Sequence, residues 1–464
     1  MPAISKAWAW HAHKFYSVLD QASLEVTLFL AMAFHVPSEE TLDRLGLELL
    51  QREKLAALLD AVLSSNPFYR RKLAGIRFDP TRDPIDRFPL TTRSEIEQDQ
   101  ATHPPFGTNL SYNPVGYNRF HQTSGTTGQP IRWLDTAESW EWFKGCWCIV
   151  YRGAGVTSED RLAFPFSFGP FIGFWAAFEA AASLGNLCLP AGGMTTTARL
   201  RYILDNGVTV VCCTPTYALR MAQTAAAEGL DLRSSAVRLV IVAGEPGGSV
   251  PSVRSRIESA WGARVIDHAG MTEVGAWGFE CVEAPGGMHV IESEFLAEVI
   301  DPVSGQPLAE GETGELVLTN LGRIGSPVIR YRTGDQVRAT RAHCACGRFF
   351  LRLEGGILGR LDSMLIVRGN NVFPSAIEAI LHEFDEVAEF RVVVEERAGM
   401  TELRLELEPA ASASSTGLAE RIAMTIRDRL HFRPEVSLVK AGALPRFEMK
   451  AKRVLHTTNR PAQS

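Results

Sequence analysis

The sequence predicts an α/β protein: a large N-terminal domain (1–358) with parallel sheets and a small β subdomain, then a small α+β C-terminal domain (359–464). Three observations predict it. Short apolar runs rich in Val and Cys, at 208–213 and 239–242, are bounded by Gly, Pro or Thr and alternate with helical patches, as do strands buried on both faces of a parallel sheet. Around 298–335 the texture changes to Pro/Gly turns between short alternating runs such as ELVLT at 315–319, which suits a small antiparallel unit. Past GRLDS at 359–363 the pattern becomes strand, helix, strand, helix, and the domain boundary is expected near 360.

Composition narrows the function classes. The chain has 464 residues, 45% hydrophobic and 22% charged, enough for a large core and a smaller second one. A net charge of −6 offers no electrostatic footprint for nucleic acid or an anionic membrane, and neither is expected as a partner. The apolar run at 24–34 is too short to span a bilayer, and the Trp-, His- and Ala-rich residues before it lack the basic region of a signal peptide. The expectation is a soluble cytoplasmic protein. Eight cysteines in such a chain point to reduced thiols or metal ligands rather than a disulfide scaffold.

In chain order, residues 1–75 are expected to be helical, with Leu45, Leu47, Leu49, Leu50, Leu55, Leu58, Leu59 and Leu63 at helical spacing between charges. NPFYRRKL at 66–73 closes that region at a proline, and Thr92 with Glu95 is spaced as a capping box opening the next helix. The stretch TSGTTGQP at 123–130 follows. Gly125 and Gly128 free its backbone to turn N–H groups inward, and Thr123, Ser124, Thr126 and Thr127 add hydroxyls, a set that suits a polyphosphate and equally a solvated turn. Its flanks, 116–122 and 131–134, mix aromatic and β-branched residues, so the loop is expected to join two strands. A standard P-loop is excluded, because that motif needs a lysine here and a helix directly after. Between 164 and 189, Phe166, Phe168, Phe171, Phe174, Trp175 and Phe178 stand among Gly169 and Gly173, a stripe that serves either as core or as the wall of a pocket for an aromatic ring.

The acidic motifs come later. GMTE (Gly270, Met271, Thr272, Glu273) follows an apolar run and is expected in a turn at a strand's C-terminal end, where open α/β sheets bind ligands; Glu273 there suits a Mg2+ that bridges phosphates. YRTGD ends in Asp335 after a glycine turn, an acceptor for two ribose hydroxyls. Near the C-terminus Lys450 and Lys452 stand beside Arg446 and Arg453, a charge run that is also what a solvated face looks like. Cys281 and His289 flank a Pro-Gly-Gly turn, and with Cys344 and Cys346 they supply three thiolates and an imidazole, a closed tetrahedral set for structural Zn2+. Unliganded thiols are the alternative, with His343 as a substitute ligand.

Taken in order, TSGTTG, AGEP at 243–246, GMTE, YRTGD, GRLD, GNNVFPSAIE and the terminal lysine segment resemble the adenylate-forming superfamily of acyl-CoA synthetases, and most closely its phenylacetate-CoA ligase branch. The resemblance covers nearly the whole chain, and that branch also has cysteines and a histidine at positions matching the zinc set. It implies two half-reactions: a carboxylate attacks the α-phosphorus of ATP to give an acyl adenylate and pyrophosphate, and a small mobile C-terminal domain then turns so that CoA or another thiol acceptor enters past Gly369. By the same resemblance, the loop 123–130, with Thr126 catalytic, holds the β and γ phosphates, Glu273 holds Mg2+, Asp335 and Arg360 hold the ribose side, Lys450 bridges carboxylate and α-phosphate, and Asp362 is the hinge. The backbone of Ala243, Gly244, Glu245 and Pro246 is expected along adenine and the acyl group. Combined with the stripe from Phe166 to Phe178, it favours an aryl or arylacetic acid; Met271 and Thr272 are expected on the nucleotide side, and Phe166, Phe168, Phe171, Ala243, His268, Ala269 and Gly270 in the acid pocket. The resemblance admits a homodimer, a carrier-protein thiol or an amine as acceptor, and a non-ligating nucleotide binder. Three departures stand out: Gln129 where the branch commonly has Lys, Ala269 where Tyr is common, and Met449 where Gly precedes the lysine.

Overall fold

The computed structural model describes residues 33–123, 130–367, 370–397, 400–410, 416–447 and 451–457. Helices α1 (Pro37–Glu40), α2 (Arg44–Ser65) and α3 (Pro67–Lys72) open the chain. Asp43 starts α2 by accepting the Gly46 N–H at 2.8 Å. This helix buries Leu47, Leu55, Leu58 and Leu59 while Leu45, Leu49 and Leu63 stay exposed, so the leucine pattern marks the helix but only part of it marks the core. Thr92 and Glu95 form the full capping box of α4 (Arg93–Thr102).

Strands β1 (Arg119–Gln122) and β2 (Arg132–Asp135) pair antiparallel around the 124–129 loop, as expected of its flanks. After α5 (Ala137–Gly153) the βα alternation begins: β3 (Arg161–Phe164), α6 (Trp175–Ser183), β4 (Leu187–Pro190), α7 (Thr196–Asp205), β5 (Val210–Cys213), α8 (Pro215–Ala227), β6 (Leu239–Ala243), α9 (Pro251–Trp261) and β7 (Arg264–Met271). These five strands run parallel in the order β4-β3-β5-β6-β7. Each face carries its own core, one around Trp147, Phe164 and Phe279 and one around Tyr217, Trp261 and Val265.

The expected small β subdomain is hydrogen-bonded into the same sheet rather than standing apart. From β7 the ladder continues antiparallel through β8 (Gly275–Phe279), β9 (Gly287–Val290), β13 (Arg352–Glu354), β12 (Tyr331–Thr340), β11 (Thr313–Asn320) and β10 (Phe295–Ile300), giving twelve strands with β14 (Gly359–Arg360), which pairs with β12. The physical reason is the length of β12: its ten residues pair with β11 from 331 to 338, with β14 at 335–336 and with β13 at 339–340. YRTGD therefore lies within a strand and not at a turn, with Gly334 at φ +73° kinking it just before Asp335.

The chain leaves the large sheet after Arg360. Beyond it come β15 (Leu365–Val367), β16 (Asn370–Val372), α10 (Pro374–Leu381), β17 (Val387–Arg397), β18 (Met400–Pro409), α11 (Leu418–Leu430), β19 (Glu435–Leu438) and β20 (Val454–Thr457). The expected strict alternation fails at β17 and β18, which are consecutive and form a long antiparallel hairpin at the centre of the sheet β19-β18-β17-β20. A third core, including Ile377, Val392, Leu405 and Ile422, belongs to this unit alone. No helix among the described residues is long and apolar enough to cross a membrane.

One contact sets where the site forms. Asp135, the last residue of β2, and Arg323, in the loop after β11, are both fully buried and paired through two bonds of 2.7 and 2.8 Å. Arg323 Nη1 also donates to the carbonyls of Thr272 at 2.6 Å and Glu273 at 3.0 Å, and the guanidinium lies 5.4 Å from the Trp133 ring centroid. The end of the β1–β2 hairpin away from the 124–129 loop is thus tied to the turn after β7. Replacing Arg323 by Met would strand a buried carboxylate, and urea unfolding of Arg323→Met is expected to show a loss of about 3–5 kcal/mol; a loss under about 1 kcal/mol would show that the pair is not what holds these segments together.

Candidate active site

The loop base is closed by reciprocal bonds: Thr123 N donates to Ile131 O at 2.9 Å, and Ile131 N donates to Thr123 Oγ1 at 3.0 Å. Ser124, Gly125, Thr126, Thr127, Gly128 and Gln129 lie outside the described residues, as do Gly369, Met449 and Lys450. Glu273 occupies the turn between β7 and β8, at the C-terminal end of a strand as its motif suggested. It is buried, and its Oε1 accepts the Tyr331 hydroxyl at 3.2 Å. Its Oε2 has no protein partner among the described residues, which leaves one carboxylate oxygen for a cation.

Arg93 is the site residue that sequence reasoning missed. Its Nη2 donates to Thr123 Oγ1 at 3.4 Å and its Nη1 stands 3.8 Å from Glu273 Oε1, so it bridges the loop base and the acidic turn. A signal was present: Arg93 directly follows the cap residue Thr92, and a cation at a helix N-terminus opposes the dipole unless anions compensate it. Glu97 at 2.8 Å and Glu273 are those anions.

Asp335 is buried on β12. Its Oδ1 accepts from Arg360 Nη1 at 3.0 Å, while Oδ2 is buried with no partner among the described residues. Burial pushes its carboxyl up to about 6 against the opposing pull of Arg360. Arg360 also donates Nη2 to Asp362 Oδ2 at 2.7 Å, and despite partial burial this pairing holds Asp362 below the usual carboxylate range. The ribose-side candidate and the hinge candidate thus share one guanidinium.

Ala243 ends β6, and Gly244 follows at φ +96°. The Glu245 side chain is held by backbone groups: Oε1 accepts Thr216 N at 2.8 Å and Oε2 accepts Ala451 N at 2.7 Å. Pro246 lines a narrow cavity between the domains with Thr216, Ser375 and Glu378. Lys452 is exposed and Arg453 buried, so it is the segment beside Lys450 that meets the large domain.

On β7, His268 Nδ1 donates to Gly278 O at 2.7 Å, because a carbonyl can only accept, and its ring lies 4.1 Å from that of Trp147. Burial drives its pKa down to about 4, so the imidazole is neutral at physiological pH with an acceptor at Nε2. A Cβ on Gly270 would come within 3.2 Å of that nitrogen, and Ala269 is buried beside it. Met271 ends the strand and Thr272 offers its carbonyl to Arg323. Phe166 packs edge-on against Phe168 at 5.5 Å and Phe174 at 5.7 Å. A Cβ on Gly173 would stand 2.2 Å from Phe166 Cζ, which is how a glycine in this stripe admits an aromatic ring. Phe171 is half-buried.

The cysteine and histidine set comes together. The ligand atoms of Cys281, His289, Cys344 and Cys346 all lie within 4.8 Å of one another, and all four residues are buried. Cys281 and Cys344 sulfurs are 3.7 Å apart, and Cys346 Sγ is 3.6 Å from His289 Nε2. A tetrahedral Zn2+ with ordinary bond lengths has S···S and S···N edges of about 3.6–3.8 Å. His343 instead packs on the Phe349 ring at 4.3 Å.

The family profile of AMP-binding enzymes matches residues 121–322, and that of the AMP-binding enzyme C-terminal domain matches 369–458. A phenylacetate-coenzyme A ligase of Thermus thermophilus is 32% identical over 445 residues, covering 90% of this chain and 98% of its own length. Among solved structures, 2-hydroxyisobutyryl-CoA ligase in its postadenylation state matches with a TM-score of 0.84 at 28% identity, over 91% of this chain and 92% of that one. The same ligase in its thioesterification state gives 0.69 at 29% identity over the same shares. The chain belongs to the adenylate-forming acyl-CoA synthetase superfamily, in its phenylacetate-CoA ligase-like branch, and is by family an AMP-forming acid–thiol ligase.

Proposed function

We propose that this ligase activates an aromatic, aryl or arylacetic, carboxylic acid. A carboxylate oxygen of the acid bonds to the α-phosphorus of ATP as the bond to pyrophosphate breaks, and the thiol sulfur of CoA then bonds to the acyl carbon as AMP leaves. The observation that carries the reading is a pair of carboxylate oxygens without partners among the described residues, Glu273 Oε2 on the β7–β8 turn and the buried Asp335 Oδ2 on β12, two elements that the Tyr331 hydroxyl ties together through Glu273 Oε1. A buried acceptor without a partner is costly unless a ligand hydroxyl supplies one. Asp335 would take the ribose hydroxyls, with Arg360 keeping it oriented.

Glu273 would hold Mg2+, which when bound offsets charge on the transferring phosphates. Thr123 and the following loop would hold the β and γ phosphates. Gln129 removes the lysine common in relatives, and Arg93 stands close enough to the loop base to restore a positive charge on that side. Lys450 would bridge the acid carboxylate and the α-phosphate. The Phe166, Phe168 and Phe174 cluster, with His268 and Trp147, supports an aromatic acid over a long chain. Cys281, His289, Cys344 and Cys346 would hold a structural Zn2+; four protein ligands leave no open position for catalysis.

Three outcomes are expected. Pyrophosphate exchange across a panel of aromatic and aliphatic acids should select aromatic ones, and Lys450→Ala should lower exchange about 100-fold or more while sparing thioester formation from supplied acyl adenylate. Exchange with aliphatic acids alone would end the aromatic reading; acyl transfer to a carrier protein or an amine, but not to CoA, would end the CoA assignment. Because ionised Asp335 is the better acceptor and its pKa is near 6, AMP affinity should rise as pH climbs through about 6 and level off above it, a dependence that Asp335→Asn flattens. Folding alone runs the other way: the neutral carboxyl favoured by burial stabilises the fold below the unfolded pKa, and this is lost as pH rises through about 6. Finally, metal analysis should find one zinc per chain, and chelation should lower the melting temperature; metal-free protein with an unchanged melting temperature would refute the zinc site.

A further inference from the structure

The segment that follows Lys450 is docked on the large domain by a small set of bonds. Glu245 is fixed at the start of α8 by the Thr216 N–H at 2.8 Å, and its other oxygen takes the N–H of Ala451, the residue after Lys450, at 2.7 Å. Arg453, two residues on, donates Nη1 to Thr216 Oγ1 at 3.3 Å. A second contact lies on α9, where Ser252 Oγ donates to Ala379 O at 2.9 Å and Arg256 Nη1 meets His382 Nδ1 at 3.1 Å. Arginine can only donate, so Nδ1 of a neutral His382 accepts.

What these bonds leave intact is as informative. Arg453 is neutralised inside the small domain: Nε donates to Glu389 Oε1 at 2.7 Å, Nη1 lies 3.8 Å from Glu378 Oε2 as an ion pair, and the Phe390 ring is 4.7 Å away. If the small domain turns away, these contacts travel with it, and Glu245 keeps its bond to Thr216 N. Among the described residues no buried ion pair is split, so release avoids the penalty of an unpaired buried charge. The interface holds by a few directional bonds and lets go without stranding charge. This domain arrangement also superposes better on the related ligase's postadenylation state than on its thioesterification state, with TM-scores of 0.84 and 0.69.

We propose that Glu245, Thr216 and Arg453 form a releasable latch that positions the Lys450 segment for the adenylation half-reaction, making the Glu245 side chain a positioning group rather than a nucleotide contact. The proposal rests on the reading of Lys450 given above, and its test separates the two. Spin labels on unnatural ketone side chains at positions 234 and 428, read by pulsed electron resonance, report domain arrangement without any substrate. Wild type is expected to show a dominant short distance, and Glu245→Ala and the milder Thr216→Val and Ser252→Ala are expected to shift population to longer ones, with Glu245→Gln partly restoring it. In kinetics on whichever acid supports pyrophosphate exchange, Glu245→Ala should lower the adenylation kcat about tenfold, leave KM for ATP within about twofold, and leave thioester formation from supplied acyl adenylate unchanged. Unchanged distances in all variants, a raised KM for ATP with kcat intact, or equal loss in both half-reactions would overturn the latch. If no acid supports exchange, the proposed function fails, and the distances alone decide the latch.

Discussion

The buried pair of Asp135 and Arg323 is the constraint on which the site depends. Two formal charges with no solvent exposure are tolerable only when each is met by hydrogen bonds, and here the guanidinium spends its remaining capacity on the carbonyls of Thr272 and Glu273. A hairpin that would otherwise be a marginal two-stranded unit is thereby anchored to the main sheet. The same bonds hold the turn that presents the Glu273 carboxylate. Arg93 repeats the link at the surface of the site, touching Thr123 on one side and approaching Glu273 on the other.

A second economy concerns charge. Arg360 serves both Asp335 and Asp362, so the candidate ribose acceptor and the candidate hinge are coupled through one side chain. Changing the backbone around Asp362 would alter how Arg360 is shared, and with it the electrostatics of the buried carboxylate. Glu245 shows a related division, one oxygen for its own domain and one for the other. In both places a group near the site is poised at the junction between the domains.

Much of this was legible in the sequence because its signals are local. The capping box at Thr92 and Glu95, the strands around the 124–129 loop and the Val-rich parallel strands each depend on neighbours a few residues away. The Cys and His set was legible by chemistry, since few buried constellations need three thiols and an imidazole. Other features had no local trace. Arg323 and Asp135 are 188 positions apart, and nothing in either segment announces the other. The merging of the β subdomain into the main sheet depends on β12 pairing with three partners, and the glycine that suggested a turn in YRTGD proved to be a kink within that strand. Glu245 sits in a segment whose resemblance pointed to adenine, yet its carboxylate binds backbone groups of α8 and the lysine segment; only the assembled domains show that.

The proposed aryl adenylate would lie in one site with Thr123, Glu273, Asp335 and the Phe166 cluster around it. A crystal structure with a non-hydrolysable arylacetyl sulfamoyl adenosine tests this most directly. The ribose hydroxyls are expected on Asp335 Oδ2, adenine along the backbone at 243–246, the sulfamoyl group near Thr123 and the Lys450 segment, and the aryl ring against Phe166 and Trp147. Ribose density away from Asp335, or an aryl ring outside the Phe166 cluster, would contradict it.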